Sequence, residues 1–223
     1  MKSRIPINEQ LGSFPVPFLA RALKFALTLA VLAAGLPAQS RSDSIAPGKL
    51  LVASPSLPDP GFAETVILIV QTGSAGVTGL VVNRASDFPL VRLFPKAAPP
   101  DSRVYLGGPL NFGVRALRDS KAKLAGAAHL VDDVYLLADR PSVEAAASRG
   151  LASSVFRVYA GYAGWTEDQL AGEIGHGYWQ VRAAAASQIF DENPRTLWSR
   201  LAATKIAVIW PGIQEWLAWP ERP

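Results

Sequence analysis

The sequence predicts an α+β domain built on a largely antiparallel or mixed sheet. Short β-branched runs, each closed by Gly, Pro or Asn, dominate up to about residue 137, and helical spacing comes late and irregularly. Regular βαβ alternation is missing, which argues against a doubly wound parallel sheet. The chain has 223 residues, 49% of them hydrophobic, enough for one core of ordinary size.

Residues 1–40 stand apart from that domain. Arg21 and Lys24 precede the apolar run Phe25 to Leu36, and Pro37, Ala38, Gln39 and Ser40 follow it. This is the layout of a secretory signal peptide, with cleavage fitting after Ala38 or Ser40. The run falls short of the roughly 20 apolar residues of a membrane span, so any membrane contact would come through an uncleaved leader. Residues 41–48 read as a polar linker, 49–205 as the domain and 206–223 as a tail carrying Trp210, Trp216 and Trp219. That tail is expected to pack on its own chain, with a partner surface as the alternative.

The elements follow in order. Lys49 to Ala53 reads as a strand stopped by Pro55, Asp59-Pro60-Gly61 as a turn, and Thr65 to Val70 as a short buried strand. Thr78 to Val82 is a further strand ending at Asn83-Arg84, and Pro89 to Phe94 has the spacing of one helical turn. Strands are predicted at Arg103 to Leu106, Val114 to Leu117, Ala128 to Val131 and Val134 to Leu137, then a helix over Ser142 to Arg149 after Pro141. Val155 to Ala160 reads as a strand broken by Gly161 and Gly164. Thr166 is an expected N-cap with Gln169 completing a capping box, Trp165 and Leu170 have staple spacing, and Gly175 and Gly177 stop the helix. Tyr178 to Val181 is a strand; Ser187 to Phe190 and Pro194 to Ala203 are helical, the latter with Leu197, Trp198 and Leu201 on one face.

Charge and composition exclude several functions. The chain holds 22 Lys/Arg and 18 Asp/Glu; residues 1–40 take four and one of these, leaving 18 against 17. A balance of +1 offers no electrostatic footprint for a nucleic-acid backbone. With no cysteine there is no disulfide, thiolate metal site or cysteine nucleophile. Glu173 and His176 have a metal-binding i, i+3 spacing, but His129 is the only other histidine, so no metal and no cofactor are expected. Gly76-x-x-Gly79 lacks the Lys-Ser/Thr of a phosphate loop, and Ser120-x-x-Lys123 lacks the companion motifs of penicillin-interacting enzymes. Asp132-Asp133 and Asp191-Glu192 read as solvated turn residues.

Five segments carry a resemblance. They are LLVASPSLPDPGF (50–62), GVTGLVVNR (76–84), LGGPL (106–110), GYAGWTEDQLAGEI (161–174) and IFDENPRTLWSRL (189–201), with Trp179 between the last two. In this order and spacing the chain resembles the YqgE/AlgH family. Departures are Asp168 where the family usually has glycine, Ala171 in place of an acidic residue, and Gln71-Thr72 where a histidine is usual. The resemblance implies a single α+β domain with a strongly bent sheet and short flanking helices. It also implies a regulator without established catalytic activity, and a cytoplasmic location. A genuine leader would instead place the mature chain in the periplasm or outside the cell.

The candidate surface gathers Asn83, Arg84, the Gly107-Gly108-Pro109 turn and the Gln169/Glu173 side of the short helix. Arg84 supplies a fork and the glycines allow close backbone approach. Glu173 has no cation near it in sequence and is expected to be partly exposed, meeting Arg84 or flanking a ligand, so that Glu173→Gln would leave stability nearly unchanged. Trp165, Thr166, Leu170, Trp179 and Trp198 are assigned structural duties. The reading is a non-enzymatic regulatory or binding module for a small ligand or protein partner. Its alternatives are a hydrolase or transferase using Glu173 with Asn83 or Arg84, and an interaction protein working through its tryptophan-rich tail.

Overall fold

One long strand, β9 (Phe156–Trp165), touches both halves of the sheet and sets its bend. The computed structural model describes residues 45–97 and 99–209; the expected leader and the tail tryptophans lie outside them. The other strands are β1 (Lys49–Ala53), β2 (Val66–Gln71), β3 (Val77–Val81), β4 (Ala85–Pro89) and β5 (Arg103–Leu106), then β6 (Leu110–Asp119), β7 (Ala128–Val131), β8 (Val134–Leu137) and β10 (Trp179–Ala183). Helices are α1 (Arg140–Ala147), α2 (Glu167–Gly175), α3 (Ala186–Ile189) and α4 (Pro194–Ile209), with 3-10 turns at Pro60–Phe62 and Leu90–Arg92. The order across the sheet is β10-β1-β2-β3-β9-β6-β8-β7, with β4 and β5 off this path. Pairing is antiparallel except between β5 and β9, which run parallel. The fold is the expected α+β one, a strongly curled half-barrel.

Both faces of the central strands are buried, which explains their continuous apolar runs. Leu50 and Val52 join Leu68, Leu80, Leu117 and Tyr159 in one cluster, covered by Ile189, Phe190, Leu197 and Leu201 of the last helices. Their neighbours Leu51 and Ala53 face the other way, with Ile67, Ile69, Val81, Trp165, Leu170 and Trp179. A third cluster sets Val143, Ala146 and Ala147 of α1 against Ala116, Leu137 and Val158. Strand periodicity of two sorts each residue into one layer or the other. Among the described residues no helix is long and apolar enough to cross a membrane.

Four elements differ from the sequence prediction. Gly161 and Gly164 do not break β9, which continues to Trp165. Gly161 instead takes φ +70° and bends the strand. Strand β4 was not anticipated, because ASDFP lacks β-branched residues; its pairing with β5 supplies what local propensity does not. Strand β6 is ten residues rather than four, and α4 runs on to Ile209. Asp132 and Asp191 are not free turn carboxylates: Asp132 accepts the Ala186 N–H at 2.9 Å, and Asp191 pairs with Arg200.

Candidate functional site

The β9–α2–β10 segment folds back on itself. Thr166 Oγ1 accepts the Gln169 N–H at 3.2 Å and caps α2. At the other end Tyr178 N–H donates to Glu173 O and Gly177 N–H to Ile174 O, with Gly177 at φ +75°. This pair of bonds closes the helix in a Schellman motif, where glycine escapes the left-handed penalty. The chain reverses after little more than two turns, so Trp165 before the helix and Trp179 after it come together at 6.0 Å between ring centroids. Both indoles are buried, and both N–H groups point to one oxygen: Glu173 Oε2 accepts from Trp165 at 3.1 Å and from Trp179 at 2.7 Å. Glu173 Oε1 accepts the Gln169 side-chain amide at 3.0 Å.

Two expectations are corrected here. Gln169 does not complete a capping box, since its side chain turns forward to Glu173 rather than back to the cap. Glu173 does not face Arg84; its carboxylate clasps two tryptophans, because an ionised acceptor satisfies buried N–H donors better than water at the rim.

Asn83 and Arg84 hold the loop before β2. Asn83 is buried, its Oδ1 accepting Val66 N–H and its Nδ2 donating to Glu64 O, each at 2.9 Å. Arg84 Nη1 donates to Gly61 O at 2.7 Å and Nη2 to Ala63 O at 3.1 Å. Partial burial pulls the Arg84 pKa below its ordinary value, and nearby Asp59 opposes the shift. The loop so gripped presents Phe62, which stacks on Trp165 at 5.8 Å and meets Trp179 edge-on at 5.9 Å. Arg84 and Glu173 are therefore linked only indirectly, through the loop that carries Phe62 and the two indoles that Glu173 holds.

The Gly107-Gly108-Pro109 turn crosses over β9. Strands β5 and β6 flank β9 on opposite edges, so the short link between them must pass across its face. A Cβ at Gly108 would fall 2.2 Å from Tyr162 C, one at Gly107 2.3 Å from Gly161 O, and one at Gly161 2.6 Å from Gly108 O. Only glycine permits backbones so close. Pro109 and its neighbours Leu106 and Leu110 are exposed at this crossing.

Arg157 escaped the sequence reading. It is 4% exposed and donates to three carbonyls, Ser153 and Ile189 at 3.0 Å and Asp191 at 2.6 Å. Its guanidinium also lies over the Tyr105 ring at 4.8 Å. The signal was an arginine inside the strand run Phe156-Arg157-Val158-Tyr159, where a buried charge demands a dedicated set of acceptors. Two of those carbonyls, Ile189 and Asp191, belong to the IFDENP segment, so Arg157 ties β9 to the start of the last helices. Trp198 ties α4 to β1, donating from Nε1 to Ala53 O at 2.8 Å. An open groove of about 590 Å³ beside this region is lined by Asp119, Ser187, Asp191, Asn193 and Arg200.

The histidines are engaged locally. His176 Nδ1 lies 2.7 Å from Gly172 O and its ring stacks on Tyr178, while His129 Nε2 lies 2.6 Å from Asp132 O. Among the described residues no three His, Asp or Glu side chains gather as a metal site would require.

Fold and site together define a single-domain α+β half-barrel whose motif residues brace loops and tryptophans around a bent central strand. The AlgH-like family model matches residues 50–207, and the chain belongs to that family. A UPF0301 protein of Methylococcus capsulatus is 34% identical over 157 residues, covering 68% of this chain and 86% of its own. One from Chlorobaculum tepidum is 29% identical over 161 residues, covering 71% and 86%. The crystal structure of a Corynebacterium diphtheriae protein is similar with a TM-score of 0.57 and 26% identity, over 76% of this chain and 88% of that one. The solution structure of the AlgH protein from Pseudomonas aeruginosa shares the fold, with a TM-score of 0.57 and 24% identity over 86% and 100%.

Proposed function

We propose that the protein is a non-enzymatic binding module that recognises a protein partner through the corner formed by β4, β5 and the start of β6. The observation that supports this reading is the exposure of Phe88, Leu106 and Leu110, at 47%, 51% and 36%. One exposed leucine is ordinary, but three large apolar side chains on β4, β5 and β6, two of them flanking the Gly107–Pro109 turn, suit an interaction surface. The Gly107–Pro109 crossing holds Leu106 and Leu110 on either side of β9, and Arg84 anchors the base of β4 from behind.

A regulatory role fits this reading better than a hydrolase or transferase. The acid that the catalytic alternative needs, Glu173, has both oxygens taken by indole and amide donors, and Arg84 is engaged by two carbonyls. With the leader removed, the partner is periplasmic or extracellular.

The test compares the mature chain with a Phe88→Lys/Leu106→Lys variant, by cross-linking in cells and by an activity screen on the same preparations. A specific partner lost in the folded variant supports the reading. Substrate turnover that both proteins share, with no partner recovered, overturns it.

A further inference from the structure

A cleft between α1 and the β6–β8 pair is lined by two arginines, and no Asp or Glu is among its lining residues. Ser142 and Ala146 lie along one side of α1 with Arg149 just past its end, Arg118 and Leu137 come from β6 and β8, and Leu124 closes the loop side. The cavity measures about 200 Å³. That is below the roughly 300 Å³ at which pockets for drug-sized molecules begin, so an occupant must be small.

The electrostatics are unbalanced. Arg118 Nε is buried with no hydrogen-bond partner. Desolvation first, and then the like charge of Arg149, hold the Arg118 pKa below its ordinary value. Of the neighbouring acids, Asp139 is bonded to Ser142 at the rim, accepting its N–H at 2.8 Å, and Asp119 lines the separate groove beside Asp191. A desolvated guanidinium beside a second one is unfavourable unless an anion joins them. Guanidinium forks match the oxygens of a phosphoryl group, and two of them balance a dianion better than a single-charged carboxylate.

We propose that this cleft binds the phosphoryl group of a small organic phosphate. Arg118 and Arg149 hold its oxygens, and Leu124 and Leu137 receive the organic part. The site lies on α1 and does not depend on the apolar corner of β4–β6.

The experiment titrates the full chain with inorganic phosphate, phenyl phosphate and benzoate at constant ionic strength, following backbone amide shifts and Tm. Both phosphates should bind saturably, with shifts centred on Arg118, Ser142 and Arg149, and phenyl phosphate should bind more tightly. Arg149→Gln, at an exposed position that leaves the core intact, should weaken phenyl phosphate about tenfold or more, as loss of one charge-assisted contact does. Arg103→Gln on β5 should leave binding unchanged. Non-saturable shifts spread over all basic residues, equal affinity in Arg149→Gln, or benzoate binding as well as phenyl phosphate would each overturn the assignment.

Discussion

Glu173 Oε2 accepts the Trp179 indole N–H at 2.7 Å and, at the same time, that of Trp165 at 3.1 Å. One carboxylate thus fixes the tryptophans on either side of α2. Removing it leaves two buried donors without an acceptor, so Glu173→Ala should cost about 2–4 kcal/mol. Glu173→Gln keeps one acceptor oxygen but loses the charge, and about 1–2 kcal/mol should follow. Urea unfolding monitored by tryptophan emission reads both. A stable Glu173→Ala with unchanged emission would show that the clasp does not matter.

The crossing at Gly108 and Gly161 leaves no room for a methyl group. Gly108→Ala would set a Cβ 2.2 Å from Tyr162 C, and Gly161→Ala adds a left-handed φ of +70°. Each should cost more than about 3 kcal/mol or abolish folding, as overpacking against backbone does. Gly172, inside α2 with nothing within 4 Å of a Cβ, gives the opposite case. Gly172→Ala should stabilise by about 0.5–1 kcal/mol, since alanine loses less entropy in a helix. Thermal unfolding of the three variants decides.

Arg157→Lys tests the tie between β9 and the last helices. An ammonium cannot reach the Ser153, Ile189 and Asp191 carbonyls with the geometry of a planar fork. A loss of about 2–3 kcal/mol is expected. Hydrogen exchange should quicken in α3 and α4 before it does in β1 and β2; uniform quickening would mean that Arg157 braces nothing in particular.

Alkaline pH should weaken the fold. Burial pushes the phenol pKa of both Tyr105 and Tyr159 above the ordinary 10.0, with Arg157 opposing in each case. Both phenols stay neutral in the folded chain where the unfolded chain would ionise them. Their contribution is therefore complete below about pH 10 and is lost as pH rises beyond it. Tyr105 and Tyr159 should show their ionisation absorbance only with unfolding. Ionisation of these two phenols near pH 10 in a still-folded protein would contradict this.

We propose that the leader is removed in the native host. Intact-mass measurement should find a chain starting near Gln39 or Arg41, and a full-length cytosolic species would refute it.

Much of the architecture was legible in sequence because it depends on local physics. Leu50 to Ala53 and Val66 to Val70 announce buried strands by β-branching and by apolar side chains on both faces. Thr166 and Gly177 mark the ends of α2, since a cap and a left-handed turn are settled within a few residues. What the tertiary structure decided is how distant groups use one another. Gly161 looked like a strand end because glycine ends strands more often than it bends them, and only the link from β5 to β6 gives it another task. β4 exists through its partner β5, and Glu173 looked free because its donors, Trp165 and Trp179, become neighbours only when α2 folds back. Arg157 carries no motif at all; its three carbonyl acceptors lie up to 34 residues away in sequence. Local propensity is written residue by residue, whereas hydrogen-bond partners across a curled sheet depend on where the backbone has already brought them.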